Sequence, residues 1–308
     1  MRLLALSAAV LVTAVPSLSH AWTRPGHMVS AAIAYEELAA RNPAALRRLL
    51  AIATAHPDRG PFEVAIGRAT GADRDRRVFM ELARWPDDIR GGPHDHPTWH
   101  YALTPVSDPR QPPSVSPPNE IVGAAREAFA LNVKVASDPK APPADRALAL
   151  GWIFHVAGDI HQPLHTVQLF SRRFPSGDRG GALQYVKDPQ TGEAISLHWL
   201  WDDSVNRDGE APAAVARAGE LTRRHPRAGF LELKTPARAE DFSAWAVESY
   251  RLAAPIAYRA DLSTSDAGAP APEVPQAYQS AMTAAAERRL TLAGYRLADI
   301  AEQLIAAD

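Results

Sequence analysis

Two stretches of the sequence place candidate metal-ligating side chains at helical spacing. In WIFHVAGDIHQPLH (152–165), His155 and Asp159 are four residues apart and share one helix face. Pro163 closes that helix, and His165 follows just beyond it. In SLHWLWDDSV (196–205), His198 and Asp202 repeat the four-residue spacing among Leu197, Trp199, Leu200 and Trp201. An unpaired carboxylate in such apolar surroundings is costly, and a bound cation removes that cost. Imidazole and carboxylate ligands together suit zinc. RWPDDIRGG (84–92) and PTWHYAL (97–103) add Asp87 and His100, although an aspartate after Trp-Pro, taken alone, reads as a turn residue.

The chain start supplies a fourth element. MRLLALSAAVLVTAVPSLSHA carries Arg2, an apolar run from Leu3 to Val15, and small residues Ser19 and Ala21. This pattern predicts a signal peptide over residues 1–21, cut after Ala21, and a secreted or periplasmic protein. The apolar run is too short to span a bilayer comfortably, so no membrane anchor is expected after cleavage. Cleavage makes Trp22 the first residue, followed closely by His27. A free α-amine, with a reference pKa near ~8, chelates a cation together with its own carbonyl oxygen.

The elements that position these groups are helical. Apolar periodicity predicts helices over 27–39, 45–53, 119–136 with Asn119 as N-cap, a segment from Pro143 through Ile160, and 211–223, 240–256 and 276–306. Strand signals are weak, with 182–186 paired to 195–199 as one short hairpin. Proline-rich stretches 104–119 and 262–276 read as surface loops of one domain, because ligands lie on both sides of the first. The fold class is all-α, a single helical domain over 22–308 with long loops and at most a short β-hairpin.

At 308 residues and 46% hydrophobic, the chain can bury a sizeable core. A net charge of −2 without a basic stripe argues against tracking of long duplex nucleic acid. Cysteine is absent, so stability comes from the core and from bound metal rather than from disulfides.

Taken together, these residues resemble the S1/P1 nuclease family, with the zinc-dependent bacterial phospholipases C as more distant relatives. GDIHQPLH (158–165) is the closest signature, and the likeness runs from Trp22 to AGYRLADIAEQL (293–304). The resemblance implies a helical phospholipase C/P1 nuclease-like fold with three zinc ions in a cleft. On this chain Asp87, His100, His155 and Asp159 would hold one zinc, and the Trp22 amine and carbonyl, His27 and Asp159 a second. His165, His198 and Asp202 would hold the third. The implied chemistry is attack by a bridging hydroxide in line on a phosphodiester of single-stranded DNA or RNA, giving 5′-phosphate products, with 3′-nucleotidase activity as an extension. Three dications outweigh three aspartates, so the cleft is cationic despite the chain's net charge. Catalytic roles fall to Asp87, Arg90 and Asp159, with Arg90 aiding transition-state charge. Tyr101 takes the position where family nucleases stack a base. A monomer is expected.

Two positions depart from the pattern. Leu103 stands where fungal members have an acidic residue toward the base, and Ala182 follows Gly180 and Gly181 where many members have asparagine. A nuclease of weak base preference, a hydrolase of another phosphoester such as a phospholipid head group, and replacement of these contacts by other loops all remain open. So does a non-catalytic zinc protein, although structural zinc sites are usually closed and single. Among the remaining polar residues, His161 is expected to point away from Asp159 and to pack or support. His94 and His96 read as solvated loop residues. Asp88 and Asp203 read as supporting or solvent-facing.

Overall fold

The computed structural model describes residues 22–108 and 115–306, so the expected signal peptide lies outside the described residues. Asn42 joins the first two helices, α1 (Arg24–Arg41) and α2 (Pro43–Ala53). Its backbone N–H donates to Leu38 O (2.8 Å), and its side-chain oxygen accepts from Ala45 N (3.0 Å). It thus closes one helix and caps the next, while Pro43 fills a position that needs no N–H.

Two helices that the periodicity does not announce follow, α3 (Arg59–Ile66) and α4 (Gly71–Asp88). Pro86 lies inside the last turn of α4, so Asp87 is a helical residue and not a turn residue. Pro86 removes one hydrogen bond from the ladder, and burial of Phe79, Leu82 and Trp85 holds the turn in place.

The expected helix from Asn119 begins later, as α5 (Ala125–Ser137) with Ala124 at its N-cap. Residues just before it are engaged elsewhere. Leu103 and Val122 exchange both backbone hydrogen bonds (2.7 and 3.0 Å), and Ala124 N donates to Thr98 O (2.7 Å). Gly123 sits at φ 111°, where an added Cβ would stand 2.1 Å from Tyr101 O. This junction holds the segment around His100 and Tyr101 against the helical body.

The central helix is α6 (Pro143–Asp159), buried without interruption from Ala149 to Asp159. A helix apolar on all sides must be enclosed, and α6 packs on α4 and α5. After α6 come a short 3₁₀ turn over Pro163–His165 and strand β2 (Val167–Phe170). β2 runs parallel to β1 (Thr104–Ser107), with Thr104 opposite Val167. This pair adds to the expected hairpin, which is β3 (Tyr185–Lys187) with β4 (Ala194–Ser196). The hairpin is shorter than the alternation suggests because Ser196 caps α7 (Leu197–Asp202), accepting from Trp199 N (3.1 Å). The remaining helices are α8 (Ala211–Arg224), α9 (Phe242–Leu252), extended by a π-helical turn over Ala253–Ala257, and α10 (Gln276–Ala306). Gly294 lets α10 lie directly on α1, since a Cβ there would be 2.6 Å from Ile33 Cβ. The fold is all-α with two minimal sheets.

Candidate metal centre

All the expected side-chain ligands converge at the inner end of α6. Ligand atoms form three groups, His27–His155–Asp159, Asp87–His100–His155 and His165–His198–Asp202, each within 4.8 Å. Every one of these residues is buried to at least 99%. They come from α1, α4, the 3₁₀ turn Pro97–His100, α6, the turn after it, and α7.

Asp159 lies between the first two groups. Its Oδ2 is 3.0 Å from His100 Nδ1 and 3.2 Å from His155 Nε2, while its Oδ1 is 3.1 Å from His27 Nε2. Asp87 approaches from α4, with Oδ1 3.7 Å from His155 Nε2. Trp22 is fully buried beside this pair, and its indole N–H donates to Gly158 O (3.0 Å). Thr23 N donates to Asp202 O (3.1 Å), which ties the start of the described chain to the third group.

The donor set fits a divalent cation. His165 Nδ1–H donates to His100 O (2.8 Å) and His198 Nδ1–H to Gly180 O (2.7 Å). In neutral rings both Nε2 atoms are then acceptors, yet they face each other at 3.0 Å. Opposed lone pairs repel unless a cation lies between them. Two nitrogens each about 2.0–2.1 Å from one tetrahedral zinc stand about 3.3 Å apart, close to this spacing. His155 is oriented in the same way by Ala83 O (2.8 Å). Backbone carbonyls thus set three imidazoles with Nε2 inward. Asp87 Oδ2 and Asp202 Oδ2 are buried acceptors to which no protein group donates among the described residues.

Burial dominates the protonation of these groups. It pushes Asp87 and Asp159 up to about 6, and Asp202 well above the usual carboxylate range despite the hydrogen bond from Gln162. It pushes His100 and His165 well below the ordinary imidazole value. Burial thus penalises charge on these side chains, which is the desolvation cost that a bound cation offsets.

Around the ligands, Arg90 Nη2 donates to Asp87 Oδ1 (3.2 Å) and Arg90 Nη1 lies 3.6 Å from Asp95. The Tyr101 ring stacks on His165 at 4.7 Å and 25°. Leu103 is 7% exposed, with its backbone paired to Val122. His161 points away from Asp159, as its spacing predicts. Its Nδ1–H donates to Ala157 O (2.7 Å), and its Nε2 accepts from Arg296 (2.9 Å). His96 is not simply solvated, because it stacks on Trp99 at 3.8 Å and 15°. Asp88 pairs with Arg24 and Arg84, and Asp203 with Arg207.

Two supporting residues carry no ligand spacing and escape a reading of the sequence. Gln162 donates from Nε2 to Asp202 Oδ1 (2.7 Å) and is fully buried. Gly158 allows α1 to approach, since a Cβ there would lie 2.9 Å from His27 Nδ1. The only sequence signal for Gln162 is an amide inside an otherwise apolar run.

The S1/P1 nuclease family model matches residues 22–306, nearly the whole chain, and the protein belongs to that family. It is accordingly a zinc-dependent hydrolase of phosphoester bonds. A search of curated proteins gives no match.

Proposed function

We propose that this protein cleaves single-stranded DNA and RNA to 5′-phosphate products through a three-zinc centre, with 3′-nucleotidase activity on nucleotides that carry a 3′-phosphate. The observation that carries this reading is Asp159, whose two oxygens face two different ligand groups. Asp87, His100, His155 and Asp159 would hold one zinc. His27, Asp159 and the main chain of a Trp22 freed by cleavage after Ala21 would hold a second, and His165, His198 and Asp202 a third. Zinc bound there supplies a water of lowered pKa and Lewis acidity toward phosphoryl oxygens.

The chain's own groups do the rest. Asp87 and Asp159 neutralise charge at the centre of the cluster. Arg90, braced on Asp87 at 3.2 Å, adds a cation beside it. Tyr101 gives an aromatic face next to the third group, and stacking of a base on it is worth about 1–3 kcal/mol. Leu103 and Ala182 offer no polar side-chain atom to a base, which supports weak base preference and use of both nucleic acids.

Among the described residues no helix is long and apolar enough to cross a membrane. With the leader pattern, this supports a secreted or periplasmic enzyme, and we take it to act as a monomer. Phospholipase C-like hydrolysis of a phospholipid head group is the second reading, favoured by the same loss of polarity at Leu103 and Ala182.

The test uses protein beginning at Trp22 and loaded with zinc. Release of 5′-mononucleotides from single-stranded DNA and RNA, abolished by EDTA, is the expected result. No release from fully metallated protein would overturn the nuclease reading, and turnover of short-chain phosphatidylcholine would then establish the other.

A further inference from the structure

Behind His198 lies a turn with an uncommon backbone path. Residues 178–184 (DRGGALQ) fold around the Asp178 carboxylate, which is fully buried. Its Oδ1 accepts Leu169 N–H (2.8 Å) from β2. Its Oδ2 accepts Gly181 N–H (3.0 Å), the Gln184 amide (2.7 Å) and the Tyr258 hydroxyl (2.8 Å). Four donors from three parts of the chain therefore meet on one side chain.

The path they hold is costly. Arg179, Gly180 and Gly181 take φ of 55°, 62° and 82° in succession. Arg179 pays the strain of the left-handed region, which glycine escapes. Gly180 has no alternative, because a Cβ would stand 2.3 Å from Leu164 O. What this path delivers is a set of backbone carbonyls aimed at α7. Gly180 O accepts His198 Nδ1–H (2.7 Å), and Gln184 O accepts Leu197 N–H (2.7 Å).

We infer that Asp178 is the positioning residue of the third metal group, acting through the Gly180 carbonyl to aim the His198 Nε2 at His165 and Asp202. The inference rests on the reading that this group holds zinc. Tyr258, which follows the π-helical turn, is the outer support of the same chain of contacts. In the other two groups, Ala83 O orients His155 and α1 carries His27, and both lie outside this turn.

The test measures zinc per chain by elemental analysis after dialysis against buffered free zinc, for wild type, Asp178→Asn, Tyr258→Phe and His198→Ala. Asp178→Asn places an amide N–H among donors and should hold one zinc fewer than wild type, as His198→Ala does. Tyr258→Phe removes one donor of four and should raise the free zinc needed to fill that last site by roughly 10-fold, within the range for supporting residues. The remaining zincs should bind with wild-type midpoints in both variants, a selectivity that a general loss of stability would not produce. Should Asp178→Asn fail to fold, Tyr258→Phe decides. Wild-type zinc content and midpoints in the variants, or loss spread evenly over all sites, would overturn the inference. If His198→Ala itself keeps the wild-type complement, the metal reading falls and the inference with it.

Discussion

His165 and His198 present their Nε2 atoms to each other at 3.0 Å, while each commits its Nδ1–H to a backbone carbonyl. The pair is therefore preset for a cation and is in mutual conflict without one. Zinc should stabilise the fold, by about 2.7 kcal/mol for a single site at a hundred times its dissociation constant. The melting temperature should fall on EDTA treatment and recover on zinc addition. His198→Ala should shrink that difference and lower turnover by roughly 10²–10³-fold, the scale on which one stabilising group acts at a transition state. A melting curve indifferent to zinc would contradict the arrangement.

Gln162 supports the third group through a different member from Gly180, donating to Asp202 Oδ1 at 2.7 Å. Gln162→Leu keeps the bulk and removes the donor. It should weaken zinc at that group by roughly 10–100-fold. A competition titration with a chromogenic chelator reads this directly.

Gly158 is where α6 passes under His27. Gly158→Ala would place a methyl 2.9 Å from His27 Nδ1 and 3.0 Å from Cε1. Neither position is flexible, so His27 should be displaced and zinc lost from the group it shares with Asp159. Unchanged zinc content in a folded Gly158→Ala protein would show that the helices can part.

Much of this centre is legible in the sequence, and the reason is geometric. His155 with Asp159, and His198 with Asp202, are set by the four-residue repeat of a helix, which the chain carries in its own order. The long helix 276–306 is equally plain from its period. Asp87 is harder, because Pro86 suggests a turn while tertiary packing keeps the residue helical. Gln162, Gly158 and Asp178 act on partners in other segments. Asp178 bonds to Tyr258, 80 residues away, and no local pattern encodes such a meeting. The start of α5 is missed for the same reason, since Val122 is drawn into backbone pairing with Leu103.

Tyr101 lies against His165 and is proposed to receive a base. Tyr101→Ala should raise KM for single-stranded DNA by roughly 10-fold or more, the equivalent of about 1–3 kcal/mol of stacking. Zinc content should stay at the wild-type value. A drop in zinc without a change in KM would assign Tyr101 to support of the ligands instead.

Glu81 is buried on α4 beside Arg84, and burial pushes its carboxyl up to about 7 from an ordinary value of 4.5. Because the folded form holds the proton more tightly, stability declines as pH rises from about 4.5 to about 7 and stays lower above that. Glu81→Gln removes the ionisation. It should raise stability at pH 8 by about 1–3 kcal/mol and leave it nearly unchanged at pH 4, at about 1.4 kcal/mol per unit of pKa. Denaturant unfolding at the two pH values checks the sign.

The hydrogen bond from Thr23 N to Asp202 O closes a loop of 179 residues, and the candidate side-chain ligands are strung along it. No short segment holds a complete group, so each group needs parts of the chain that are distant in sequence. Synthesis must pass α7 before the last ligands exist, and contacts this distant in sequence form late because closing them is entropically expensive. A complete group therefore exists only once the helices around α6 have come together, so zinc held by these residues would report the finished tertiary structure.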